Sequence, residues 1–164
     1  MTLVCAPVPG RALPLEAVPD PVFAQAMVGP GAAIDPPAQV VDVVAPLAGT
    51  LVKVHPHAFV VRSDDGWAIL VHLGIDTVQL GGAPFTVLVA EGSRVAAGGA
   101  IVRWDVPAVI ASGRSAIVPV VVLEAPAEAV VPADGVTTQS PVTAGTPLLH
   151  LTPPPPPPPP PPPR

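Results

Sequence analysis

The chain has no tyrosine, a single cysteine, a single lysine and no long apolar run. With aromatics at 3%, any core must be filled by aliphatic side chains. One cysteine, Cys5, excludes an internal disulfide and fits a reducing cytosol. One lysine, Lys53, and a formal net charge of −5 leave no basic stripe to track a phosphate backbone, so nucleic acid is disfavoured as a partner. Although 49% of the residues are hydrophobic, no run approaches the roughly 18 needed for a spanning helix, so direct membrane insertion is not expected. The start, "MTLVCAPVPG", has no basic lead and reaches Pro7 at once, which argues against a signal peptide.

What is present is valine, cut into short runs by Gly and Pro: "TLVKV", "AFVV", "WAILVHL", "TVLVA", "AIVRW", "PVVVL" and "PLLHL". Short β-branched runs bounded by turn residues every ten or so positions predict an all-β fold, an antiparallel sandwich or barrel. Helix is expected only as a turn or two, in "PDPVFAQAMVG" (19–29) and "VPAVIASGRS" (106–115). The chain also repeats itself. "CAPVPG" (5–10), "VAPLAG" (44–49) and "VPADG" (131–135) each set a Pro shortly before a Gly at an expected strand start. "GSRVAAGGAIVRW" (92–104) and "QSPVTAGTPLLHL" (139–151) share a Val, an Ala-Gly and an apolar strand. Two related halves within one domain, residues 1–151, are the expectation. Residues 152–164 differ: eleven consecutive prolines and Arg164 are expected to be a disordered or polyproline II tail that cannot join a sheet, either a spacer or ligand for a proline-binding module or, as expected here, dispensable.

Chemistry concentrates in "HPHAFVVRSDDGWAILVHLG" (55–74). "SDDG" (63–66) is a turn signal between two alternating runs and predicts a β-hairpin. A four-residue loop sets Arg62 against Trp67 and therefore His57 directly opposite His72, with Cβ atoms about 4.5–5.5 Å apart. A two-residue loop leaves the two diagonal on one face, and only an odd loop separates them to opposite faces. Adjacent imidazoles resist both being cations at neutral pH, so their nitrogens keep free lone pairs. Such nitrogens attack phosphorus or bind a transition metal.

These residues carry a resemblance. "HAF" (57–59), "VHLGIDTVQL" (71–80), "VAPLAGTL" (44–51), "VFAQAMVGPG" (22–31) and "WDVP" (104–107) resemble the glucose-family IIA domain of the bacterial phosphoenolpyruvate-dependent sugar phosphotransferase system, from about Leu3 to Leu151. The resemblance implies a β-sandwich of the duplicated hybrid motif type. It implies that His72 accepts a phosphoryl group on Nε2 (a tele-phosphohistidine) from the phosphocarrier HPr and passes it to the IIB domain of a sugar permease. His57 would then stabilise the phosphoryl group, and Asp76 would be an acid beside the site. Phe23, Val28 and Val78 would belong to an apolar docking face, which regulatory target proteins could share. No cofactor is required, though His57 and His72 could hold zinc if a partner's carboxylate and a water completed the shell. The place implied is the cytoplasm, with transient residence at the membrane through the permease. Membrane binding through an N-terminal segment like that of enteric members is not expected. His55 and Pro56 stand where family members commonly carry a hydroxyl residue, which orients the second histidine, and an asparagine; His55 either replaces that hydroxyl or lies in solvent, and solvent is the expectation.

Three other readings fit less well. His55-Pro56-His57 with His72 and Asp76 has the H-x-H and H-x₃-D elements of lysostaphin-type zinc peptidases, but in reversed order. Biotinyl and lipoyl carriers need a lysine at a hairpin tip, whereas Lys53 lies within a strand pattern. A non-catalytic binding domain would not need both histidines. His150, in "PLLHL", reads as a strand residue without a role.

Overall fold

A computed structural model describes residues 2–153 and 161–163. Among these the chain forms fourteen strands: β1 (Thr2–Cys5), β2 (Gly10–Pro14), β3 (Gly31–Asp35), β4 (Val40–Val44), β5 (Gly49–His55), β6 (Ala58–Arg62), β7 (Ala68–His72), β8 (Phe85–Val87), β9 (Arg94–Val95), β10 (Ala100–Asp105), β11 (Val118–Val122), β12 (Val130–Pro132), β13 (Pro141–Val142) and β14 (Pro147–Leu151). Three short helices interrupt them: α1 (Pro21–Ala24), α2 (Val106–Ala111) and α3 (Asp134–Thr137). Helical turns were expected at α1 and α2; α3 lies in a stretch where none was.

Every strand pairing is antiparallel. The strands form one eight-stranded sheet, in the order β13-β2-β3-β11-β7-β6-β5-β9, and two three-stranded sheets, β1-β14-β12 and β4-β10-β8. The sequence repeats are visible in this layout. Each of the two long repeats yields a two-residue strand, a turn and a long strand. The short strands β9 and β13 close opposite edges of the large sheet, while β10 and β14 are the central strands of the two small ones. This is a duplicated antiparallel β-sandwich.

The repeated glycines have a steric cause at two of the three places. A Cβ on Gly10 would lie 2.1 Å from the Asp35 carbonyl oxygen, and one on Gly49 would lie 2.1 Å from that of Arg62. At both, a neighbouring strand passes too close for any side chain, and each glycine opens its strand. Gly135 differs. It lies inside α3 and not at a strand start, and a Cβ there would make ordinary contact with Ser140 at 3.7 Å.

Strand β11 is buried at all five positions because both of its faces are covered. Val118, Val120 and Val122 face the main core, which also holds Trp104, Phe59 and Leu149. Val121 faces a second, smaller core with Leu15, Val18, Phe23, Ala33 and Ile75. The loop through Leu15 and α1 and the turn after β7 supply that second layer, which is the platform of the site described below. Of the tail, Thr152 donates from its backbone N to the Ala129 carbonyl (2.9 Å). Residues 154–160 and Arg164, on which most of the polyproline expectation rests, lie outside the described residues.

Phe59 tests the packing beneath the hairpin. It is 1% exposed and paired with Val71. Phe59→Ala should cost about 3–5 kcal/mol of unfolding free energy, read by denaturant titration; a cost below about 1 kcal/mol, a surface-like value, would show that this core is not packed as described.

Candidate functional site

The site forms where the β6–β7 hairpin meets the turn between β5 and β6. The hairpin exists, but its loop has five residues, Ser63 to Trp67, instead of four. Arg62 pairs with Ala68 and Ala58 with His72. The extra residue has a local reason. Ser63 Oγ accepts from the Trp67 backbone N (3.0 Å) and donates to the Asp65 carboxylate, so Ser63 and Trp67 close the loop themselves. The register therefore shifts by one from the expected pairing, and His57 is not directly opposite His72.

The two imidazoles nevertheless meet, with ring centroids 5.2 Å apart and planes at 76°. Face alternation does not separate them because His57 is not in a strand. It occupies the two-residue turn Pro56-His57 that joins β5 to β6. Its carbonyl extends the ladder by one rung, accepting from the Leu73 N (2.7 Å). Its side chain is thereby free of the strand pleat.

His72 is held more firmly. Its Nδ1 lies 2.6 Å from the Gly74 carbonyl oxygen. A carbonyl only accepts, so Nδ1 carries the proton and Nε2 carries the lone pair. Gly74 makes this bond through a backbone conformation that side chains resist: φ is +83°, and a Cβ would meet Thr77 Cγ2 at 2.7 Å and the Ser115 carbonyl oxygen at 2.9 Å. Thr77 Oγ1 donates to the Leu73 carbonyl (2.7 Å) and the Ile75 N to that of Ser115 (2.9 Å), which fixes the turn on both sides. The Phe23 ring packs on His72 with centroids 5.2 Å apart.

Burial holds His72 below the ordinary histidine value of 6.5, against the upward pull of the Gly74 hydrogen bond, Asp20 and Asp76. Burial likewise lowers His57, helped by repulsion from His72 and His55. Both rings are therefore neutral at pH 7, as the sequence reading requires. Asp20 was missed in that reading. It caps α1, its carboxylate accepting from the Val22 N (2.9 Å) ahead of Pro21, and its charge acts on His72. An Asp immediately before a Pro at a helix start, "DPVF", was the available signal.

The remaining expected residues fall around this pair. Asp76 is exposed, in the left-handed region (φ 59°), and its carbonyl accepts from Arg114 Nε (3.2 Å). Val78 is 62% exposed, Val28 half-buried, and Phe23 only 8% exposed, so Phe23 is a wall of the site while Val78 is its open rim. Val22 (45%) and Met27 (70%), not singled out from the sequence, are exposed apolar side chains in and just after α1, the element that brings Phe23 to His72. His55 is exposed as expected, yet its ring stacks on His57. His150 lies in β14, paired with Leu3 and Val131, far along the chain from these residues.

No group of three or more His, Cys, Asp or Glu side chains among the described residues could hold a metal ion. Two imidazoles supply half of a tetrahedral shell, so these residues alone do not fit a zinc site. Nothing supports the zinc-peptidase reading.

Fold and site together define a class: a duplicated antiparallel β-sandwich that presents two neutral imidazoles within an apolar rim. Comparisons with known proteins place the chain within it. Residues 2–127 match the family model of the phosphoenolpyruvate-dependent sugar phosphotransferase system, EIIA 1. The glucose-specific EIIA component of Halalkalibacterium halodurans is 43% identical over 122 residues, 73% of this chain and 69% of that protein. The glucose-specific EIICBA component of Streptococcus pneumoniae is 48% identical over 107 residues, 64% of this chain but 14% of that longer protein. The mannose-specific EIIBCA component of Corynebacterium glutamicum is 44% identical over 74% of this chain and 18% of its own length. Among solved structures, glucose permease IIA from Mycoplasma capricolum superposes with a TM-score of 0.81 at 31% identity, covering 90% of this chain and 94% of that one. The chain belongs to the EIIA 1 family of the sugar phosphotransferase system. No helix among the described residues is long and apolar enough to cross a membrane.

The lowered values of both histidines give a stability prediction. The unfolded chain takes up protons near pH 6.5 while the folded chain still refuses them, so stability falls as pH drops through that value and levels off below the folded-state values. The melting temperature should fall between about pH 7.5 and 5.5, and a His57→Gln/His72→Gln double variant should show a shallower fall. An unchanged slope would assign the pH dependence to other groups.

Proposed function

We propose that the chain is a phosphoryl carrier, with His72 Nε2 as the acceptor, HPr as the donor and the IIB domain of a sugar permease as the recipient. The observation that carries this reading is the 2.6 Å contact between His72 Nδ1 and the Gly74 carbonyl. It fixes the tautomer whose Nε2 lone pair is free, so no proton need leave before that nitrogen attacks phosphorus. As the Nε2–P bond forms, the bond to the donor breaks and the donor keeps the electron pair. The ring retains its Nδ1 proton, which keeps it a good leaving group for the onward step.

His57 is the second participant. In the free site burial and His72 keep it neutral. A phosphoryl group adds nearly two negative charges beside it, each worth about 4 kcal/mol at 4 Å and an effective dielectric near 20, before desolvation. That reverses the balance and favours a protonated His57 that donates to a phosphoryl oxygen. Asp20 and Asp76 oppose the same charge, which favours its departure. The rim of Val22, Met27 and Val78 excludes water from the phosphoryl group only when a partner covers it, so we assign HPr and IIB docking to that rim. Regulatory proteins that bind the chain would compete for it. Zinc would need a partner's carboxylate and a water to complete its shell, so we derive no step through it. The cytoplasm, with transient residence at the membrane, follows from partners of this kind.

Incubation with phosphoenolpyruvate, enzyme I and HPr tests the assignment. Wild type should gain an acid-labile phosphate and His72→Ala none, while His57→Gln should accept phosphate yet pass it to IIB poorly. Labelling of His72→Ala would remove His72 as the acceptor, and normal onward transfer by His57→Gln would remove His57 from the mechanism.

A further inference from the structure

The two site imidazoles are held by different means. His72 has a hydrogen bond on Nδ1 and Phe23 against its ring. For His57, no hydrogen bond to either ring nitrogen is made among the described residues. Two other imidazoles pack against its ring: His72 at 5.2 Å in an edge contact, and His55 at 5.8 Å with planes 28° apart. His57 is also on a two-residue turn, where the backbone does not dictate a side-chain direction as a strand would. Ring contacts therefore take the place that a hydrogen bond holds at His72.

His55 is well placed to supply one. It is the last residue of β5 and pairs with Ala58, so its backbone belongs to the sheet. Pro56 follows, and the residue before a proline is confined to extended conformations. Pro56 is itself positioned across from Gly82, where even a Cβ would be only 3.5 Å from its ring. An offset stack at this separation is a favourable aromatic arrangement.

We propose that His55 is a positioning residue for His57: its ring, stacked on that of His57, keeps that imidazole in its edge contact with His72. The inference rests on the carrier reading above, since it is the phosphoryl group on His72 that an oriented His57 serves. A planar aromatic ring is what the role demands. Neither the charge nor the hydrogen-bonding capacity of His55 is needed.

His55→Ala removes the ring and His55→Phe retains one, and both are compared in the full-length chain. The readout is single-turnover transfer from the ³²P-labelled chain to the IIB domain of a glucose permease. His55→Ala should lower the maximal rate about tenfold, less than the hundredfold that misplacing a reacting group by about 1 Å costs, with the half-saturating IIB concentration unchanged. His55→Phe should stay within about twofold of wild type, because the stack is retained. A wild-type rate for His55→Ala, equal slowing of both variants, or an effect confined to half-saturation would each overturn the proposal. If wild type takes no label at all, the carrier reading fails by itself, and nuclear Overhauser contacts between the His57 and His72 rings decide the positioning role. Contacts kept in wild type and His55→Phe but lost in His55→Ala uphold it, and contacts kept in His55→Ala overturn it.

Discussion

The hydrogen bond from His72 Nδ1 to the Gly74 carbonyl is the constraint on which the chemistry of this site depends. A histidine offers two similar nitrogens, and only a fixed partner for one of them determines the role of the other. Here the partner is a main-chain carbonyl, delivered by a turn that only glycine occupies without strain. That turn is itself anchored. Thr77 ties its far side to Leu73, Ile75 ties it to Ser115, and Ile75 packs in the small core with Phe23 and Val121. The second layer on the outer face of the large sheet thus fixes the direction of one lone pair.

The electrostatics follow from the same packing. Burial against Phe23 and the turn keeps His72 neutral and nucleophilic despite two nearby carboxylates, Asp20 and Asp76, that would favour its cation. His57 is neutral through burial and repulsion from its neighbours. On the carrier role proposed here, an uncharged pair within an apolar rim suits a group that is loaded with negative charge and then gives it up. Charge on the histidines at rest would strengthen binding of the phosphoryl group and hinder its release.

Much of this was legible in the sequence. Valine runs cut by Gly and Pro gave away the antiparallel sheets, and the Pro-before-Gly repeats at Gly10 and Gly49 marked two places where a neighbouring carbonyl leaves no room for Cβ. The pairing of His57 with His72 was also legible, but for a reason that did not hold. A four-residue loop was expected, whereas Ser63 closes a five-residue one, and the strand register alone would have parted the two rings. They meet because Pro56-His57 is a turn, a feature that reading the stretch as an alternating strand conceals. Gly135 repeats the pattern of Gly10 and Gly49 without their geometry, since it sits in α3 and no strand crosses it. Asp20 and the stack of His55 on His57 depend on the approach of residues from separate elements, which spacing within one segment does not encode.

The most direct test of the account is the protonation and phosphorylation state of each His72 nitrogen, read by long-range ¹H–¹⁵N correlation before and after loading with phosphate. The account predicts a protonated Nδ1 and a bare Nε2 in the free chain, and phosphorus bonded to Nε2 with Nδ1 still protonated in the loaded one. A free-chain tautomer with the proton on Nε2, or phosphate on Nδ1, would contradict it.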